Sequence, residues 1–300
     1  MSTPTPHITP DGQAYQGRLL PHPDEDVVDQ GLQFDLATLL SRRGVLAIGL
    51  GAGAVTLAAC GVGNATGSDS TSPASSTGAG TSLTEIPDET AGPYPGNGSN
   101  GPDVLEQSGV VRDDIRSSFG TSASTADGVP LTFRLTVLDV ASGGVPFAGV
   151  AVYAWHCDRD GGYSMYSAGV EQENYLRGVQ VTDDAGTVTF TSIFPGCYSG
   201  RWPHIHFEVY PDVAAITDTA NVICTSQLAL PAPACEAVYA TDGYESSIQN
   251  LSRLSLASDN VFGDDGGVHQ LATTRGDVQA GYTADLTVPL DTSTTPAGGR

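Results

Sequence analysis

The stretch Leu131-Thr-Phe-Arg-Leu-Thr-Val-Leu138 alternates apolar and polar side chains, and Asp139 to Gly144 after it is a run of turn-forming residues. A period of two sends every second side chain to one face of an extended chain, so this segment reads as a half-buried strand. The same grammar recurs at Val150–Trp155, Val179–Thr182, Thr187–Ile193, Ile205–Tyr210 and Gly281–Val288, with Asp/Gly turns such as Asp183-Asp-Ala-Gly186 between them. Short strands separated by such turns predict an all-β fold, an antiparallel β-sandwich with long loops and little helix. One helix is expected, over Ser246–Ser258, where Ile248, Leu251 and Leu254 share a face. The 37 glycines and 19 prolines agree with many turns.

The sandwich accounts for only the later two thirds of the chain. Ser41-Arg42-Arg43-Gly44 leads into a small-residue apolar run that ends Leu57-Ala58-Ala59-Cys60. A charged patch, an apolar stretch and a small-residue end make an export signal, and the arginine pair resembles the twin-arginine type. The Leu-Ala-Ala-Cys end resembles a bacterial lipobox, which implies a lipid anchor at Cys60. A buried helix or an uncleaved membrane anchor is the plainer alternative, but Gly44–Cys60 is 17 residues with four glycines, short for a span of about 20. Residues 61–84 are rich in Gly, Ser, Thr and Ala and read as a flexible tether. The expected organisation is therefore residues 1–60 as extension and signal, 61–84 as tether and 85–300 as the sandwich domain. The expected location is outside the cytoplasm, on the surface or periplasmic side of a bacterial membrane.

Charge narrows the partners. Twelve basic against 34 acidic residues give −22, and every one of the twelve cations is arginine. Nucleic acid and anionic lipid surfaces both require a cationic face, so neither is an expected partner. Removing residues 1–59 takes away three arginines and six acidic residues, which leaves nine against 28, so the acidity belongs to the domain. With Cys60 assigned to lipid, Cys157, Cys197, Cys224 and Cys235 remain. An even number in an exported chain suggests two disulfides, and of the three connectivities Cys157–Cys197 with Cys224–Cys235 is favoured, the second closing a Pro-rich loop.

Histidine is scarce, and two of the four beyond Cys60 stand in Pro203-His-Ile-His-Phe207. Side chains at i and i+2 of a strand share a face, so His204 and His206 form a natural pair of ligands for a first-row metal. A hydrogen-bonded pair without metal is the plainer reading. His156 and His269 stand alone and read as structural. A ferrous facial triad would draw on Glu208, and a cupin-like site on His269. Tyrosines instead occur at turns framing the histidine strand, Tyr163 in Asp158-Arg-Asp-Gly-Gly-Tyr-Ser164 and Tyr198 in Phe194-Pro-Gly-Cys-Tyr-Ser-Gly-Arg-Trp-Pro-His204. A phenolate is a hard anion suited to ferric iron, and its ordinary pKa near 10 means a strong cation must displace the proton.

These segments, with Glu89-Thr-Ala-Gly-Pro-Tyr94, Val110–Ile115 and Tyr175–Asp183, resemble the intradiol ring-cleavage dioxygenases, the family of catechol 1,2-dioxygenase and protocatechuate 3,4-dioxygenase. The resemblance implies a ferric ion held by Tyr163, Tyr198, His204 and His206, with Tyr198 and His206 axial and water or hydroxide as fifth ligand. It implies that Arg201 stabilises negative charge on the ring, that Gln227 lines the pocket and that Tyr198 takes up a substrate proton. The expected activity joins a catechol-type diol and dioxygen, cleaving the ring between its two hydroxyl-bearing carbons to give a muconate-type diacid. The interval from Tyr198 to His204 is shorter than in well-known members, which bears on the pocket wall. The competing expectation is a non-catalytic prealbumin-like binding module, since Val145–Val150 through Pro195-Gly196 also suits such sandwiches. A third is copper or zinc on the same histidines.

Overall fold

The computed structural model describes residues 83–294 and 296, together with three short strands, β1 (His7–Thr9), β2 (Gly12–Tyr15) and β3 (Arg18–Leu19), which form a small sheet of their own. Arg42, Arg43, Cys60 and almost the whole of segment 61–84 lie outside the described residues. All six alternating segments are strands: β4 (Pro130–Asp139), β6 (Ala151–Trp155), β7 (Arg177–Val181), β8 (Thr187–Ile193), β9 (His204–Tyr210) and β12 (Gly281–Leu290). Three others join them, β5 (Val145–Pro146), β10 (Cys224–Ala229) and β11 (Thr273–Asp277).

The strands make a two-sheet sandwich. One sheet has the order β10-β9-β6-β7 and is antiparallel throughout. The other runs β11-β12-β4, with β8 and β5 sharing the remaining edge of β4. Its one parallel pair is β4 with β12, in register from Leu131 opposite Tyr282 to Asp139 opposite Leu290. Leu131, Phe133, Leu135 and Val137 of β4 point into the shared core and meet Ile205, Phe207 and Val209 of β9. Each such side chain contributes about 1.5–3 kcal/mol by leaving water.

The two sheets differ in what covers them. Strand β4 alternates between buried and half-exposed positions, whereas every residue of β6 and β9 is buried. The outer face of the β9 sheet is roofed by residues 91–110 and by the turn carrying Tyr163, so Tyr153, Trp155 and Tyr210 pack in a second apolar cluster with Val104, Leu105 and Val110. That roof turns one face of a sheet into an enclosed site.

The expected helix over Ser246–Ser258 is shorter and differently oriented. A helix covers Glu245–Leu251, and a separate 3-10 turn at Leu256–Ser258 begins with a Ser255/Ser258 capping box. Ile248 is 54% exposed and Ser247 is buried, whereas Leu251 and Leu254 pack against the core as expected. A second helix, Ala232–Tyr239, stands where a Pro-rich loop was expected; Pro231 precedes it and Pro233 falls in its first turn, positions that suit helix entry. Among the described residues no helix is long and apolar enough to cross a membrane.

The expected disulfides do not form: Cys157, Cys197, Cys224 and Cys235 are free, buried thiols. Cys224 opens β10, so five further residues of extended chain at about 3.3 Å each follow it before the helix that carries Cys235, whereas a disulfide needs Cα atoms within about 7 Å. The Cys157 thiol faces the Gly196 carbonyl at 3.4 Å and that of Cys197 faces the Arg201 carbonyl at 3.7 Å. Burial pushes the Cys197 thiol up to about 12, so it stays protonated. The cysteines are small core residues.

Candidate metal centre

Strand β9 sends Ile205, Phe207 and Val209 into the sandwich core and His204 and His206 to the roofed face. The turn after β6 brings Tyr163 and the turn after β8 brings Tyr198 to the same place. Asp158 builds the first turn by accepting the N–H groups of Asp160 (3.0 Å) and Gly162 (2.8 Å) on one carboxylate oxygen. The Gly196 N–H donates to the Asp158 carbonyl at 2.9 Å and ties the two turns together. Side chains are excluded where they touch: a Cβ on Gly196 would lie 2.4 Å from the Arg159 carbonyl oxygen, and one on Gly161, at φ +88°, 3.0 Å from Tyr198 Cβ.

Four donor atoms converge. Tyr163 Oη lies 3.5 Å from Tyr198 Oη, which lies 3.3 Å from His204 Nε2, and this stands 3.0 Å from His206 Nε2. His204 Nδ1 is 2.5 Å from the Trp202 carbonyl oxygen. A carbonyl only accepts, so Nδ1 carries the proton and Nε2 presents its lone pair to the cluster. His206 stacks on Trp155 with ring centroids 4.9 Å apart and planes 4° apart, and its buried Nδ1 has no hydrogen-bond partner among the described residues. Burial, reinforced by the Arg201 charge, pushes His204 down to about 3, and burial beside His204 holds His206 well below the usual range. Burial raises both phenols, Tyr198 to about 12 with Arg201 opposing the rise. Without a cation the cluster is therefore two neutral imidazoles and two neutral phenols.

The family model described as Dioxygenase matches residues 100–215. The chain is 30% identical over 88 residues to chlorocatechol 1,2-dioxygenase of Rhodococcus opacus, a match spanning 23% of this chain and 34% of that relative's length. The similarity to the dioxygenase family model thus extends over about two fifths of the chain. The fold is that of an intradiol ring-cleavage dioxygenase from Tetranychus urticae, with a TM-score of 0.58 at 22% identity over 72% of this chain and 99% of that one. A second dioxygenase structure matches with a TM-score of 0.56 at 22% identity, over 71% and 96%.

Around the four donors the next residues out are specifically engaged. Arg201 donates from Nε to Asp259 at 3.1 Å and from Nη2 to Gln227 Oε1 at 2.6 Å, while Gln227 Nε2 donates to the Thr90 carbonyl at 3.0 Å. Gln227 thus lies beside Arg201, joining it to the roof segment. Asp259 was not evident from sequence, nor was Arg177, whose five N–H groups all find oxygens. These are Ser164 Oγ, Tyr153 Oη and the carbonyls of Tyr94, Pro95 and Ser164, at 2.8–3.0 Å. Ser247 and Asn250 were also missed: Ser247 Oγ accepts the Cys197 N–H at 2.9 Å and Asn250 Nδ2 donates to the Cys197 carbonyl at 2.7 Å. The helix Glu245–Leu251 thereby fixes the residue before Tyr198. Overhead, Gly92 at φ +70° is close enough that a Cβ there would lie 3.3 Å from His206 Cε1.

Three other candidates are engaged elsewhere. Glu208 accepts from Asn97 Nδ2 at 3.0 and 3.1 Å and from Tyr210 Oη at 2.9 Å, and burial raises it to about 7. His156 lies between the Cys157 carbonyl and Ser192 Oγ, 2.7 Å from each, as a structural histidine should. His269 is exposed and lines a surface cleft with Leu83, Thr84 and Val268. Neither a facial triad nor a cupin-like set is assembled, and among the described residues no group of three or more His, Cys, Asp or Glu could hold a metal. The mixed phenol–imidazole set does fit one. Ligand atoms sharing an ion at about 2 Å stand about 3 Å apart, and a trivalent cation supplies the charge that would ionise two buried phenols.

Proposed function

We propose that Tyr163, Tyr198, His204 and His206 hold a ferric ion and that the domain cleaves a catechol-type ring between its two hydroxyl-bearing carbons. Both atoms of dioxygen then end in the carboxyl groups of a muconate-type diacid. The observation that carries this reading is the convergence of four donor atoms, from two turns and one strand, in steps of 3.0–3.5 Å. Bound there, ferric iron would draw electron density from a chelated diol and make the ring itself the partner for dioxygen.

The chain's own residues divide the remaining work. Tyr163 is 2% exposed and Tyr198 is half-buried, so Tyr198 is the phenol that can meet an incoming diol. Its oxygen takes the hydroxyl proton and keeps it, because this buried phenol ionises only near 12 without a cation. His204 keeps its Nε2 lone pair available through the Nδ1–H bond to Trp202. Arg201, with Nε and Nη2 fixed, offers Nη1 to negative charge on the ring oxygens; among the described residues Nη1 has no partner. The rings of Tyr94 and Tyr163, 4.9 Å apart, form an apolar wall that limits water.

Metal analysis with an optical spectrum of the purified protein tests the reading. One ferric ion per chain, a phenolate-to-iron absorption band and diol-dependent oxygen uptake are expected. A colourless, iron-free protein after growth with iron, with no uptake, removes it. For the N-terminus we read Cys60 as the lipid attachment site of an exported protein. Incorporation of labelled fatty acid that is lost in Cys60→Ala is the matching test.

A further inference from the structure

Two cations, Arg201 and Arg177, act on His206. Arg177 has all five N–H groups bound to chain oxygens and cannot grasp a ligand. Arg201 has a free nitrogen, but its charge is already matched. Asp259, whose side chain is 0% exposed, meets Arg201 Nε through Oδ2. The same carboxylate accepts the N–H groups of Trp202 at 2.6 Å, Val261 at 2.8 Å and Phe262 at 3.1 Å. Four donors on a buried carboxylate hold it ionised and in place. The guanidinium is further confined by Gln227 and lies over the Phe262 ring, 5.9 Å from its centroid. The chain has no lysine, so no ammonium group stands ready beside it.

From this we infer that Asp259 is a positioning and specificity-determining residue: it aims Arg201 and cancels its charge, so that the site selects uncharged catechols over diols bearing a ring carboxylate. The inference rests on the diol-binding reading of the site. A diol carrying one more anion would bring that charge into a region where, of the two arginines beside the histidine pair among the described residues, the one with a free nitrogen is already paired, and a desolvated carboxylate without a counter-charge is strongly disfavoured. An uncharged ring meets no such penalty, and the one free guanidinium nitrogen remains for the diol oxygens.

The test is anaerobic calorimetric binding of catechol and of 3,4-dihydroxybenzoate to the iron-loaded protein, in about 0.5 M salt so that the acidic surface is screened beyond roughly 4 Å. Wild type should bind catechol at least about tenfold more tightly, and Asp259→Asn, with iron retained, should narrow that ratio about fivefold or more by releasing the Arg201 charge. Asp259→Asn weakening both diols equally would reduce Asp259 to a structural role and overturn the inference. Should that variant not fold, the wild-type ratio alone decides, and a preference below about twofold overturns it. Binding is read without turnover, so the two readings fail separately. Equal binding removes the charge selection whatever the oxygen uptake, whereas selective binding without uptake leaves the selection standing and removes ring cleavage.

Discussion

Two arginines flank the donor cluster, Arg177 fully buried and Arg201 partly exposed, and their surroundings are opposite in kind. Arg177 is ringed by neutral oxygens, three of them backbone carbonyls from the roof segment and the Tyr163 turn. It binds chain to chain and leaves no donor over. Arg201 faces a carboxylate and an amide, on the side of Tyr198, and keeps one nitrogen unengaged. The same side chain thus serves as a clamp where all its donors are satisfied and as a ligand-facing group where geometry leaves one open. Tyr163 is buried beside the clamp and Tyr198 is half-exposed beside the open donor, so the pair of phenols inherits the same division.

Substitutions can break or sharpen this contrast. The largest effect belongs to Arg177→Met, which strands several buried oxygens at about 1–3 kcal/mol each, so the urea midpoint should collapse or folding fail. An Arg177 variant of near wild-type stability would end the clamp interpretation. Next comes Arg201→Gln. Asp259 keeps three backbone donors, so stability should fall by only about 1–2 kcal/mol. Iron should stay, while kcat/KM on catechol drops about 100-fold or more, the scale for losing a donor aimed at developing charge. The phenols should then separate. Tyr163→Phe should weaken iron binding about 10- to 100-fold, whereas Tyr198→Phe should keep more iron and lose turnover, as metal titration against steady-state rates will tell. The smallest effect is Gly92→Ala: positive φ and contact with His206 should cost about 1–2 kcal/mol in thermal unfolding and shift the optical band slightly.

The readable and the hidden parts of the sequence differ for physical reasons. Strand β4 announces itself because one face is half-exposed, which enforces alternation. Strand β10, Cys-Thr-Ser-Gln-Leu-Ala, is buried on both faces, carries polar residues inward and shows no such pattern. The histidine pair and the two tyrosine turns were legible because strand geometry and local turn chemistry place them. Asp259, 58 residues from Arg201, was not, since nothing local links a carboxylate in a late loop to that guanidinium. Ser247 and Asn250 were masked by Ile248, Leu251 and Leu254: the two leucines do pack inward, but Ile248 faces out and Ser247 is buried. The cysteine count misled because burial, like bridging, favours that residue.

The parallel pairing of β4 with β12 has a consequence for how the domain is made. These neighbours are about 150 residues apart in the chain, and β12 alone joins β4 to β11. As the ribosome releases the chain, every ligand-bearing segment emerges before the strand that completes the second sheet. The sandwich therefore stays open until Gly281–Leu290 is synthesised, a high-contact-order route that is slow and leaves apolar strand surface waiting for its partner. A stop codon ahead of Gly281 would spare Tyr163, Tyr198, His204 and His206 and still leave the sandwich unclosed.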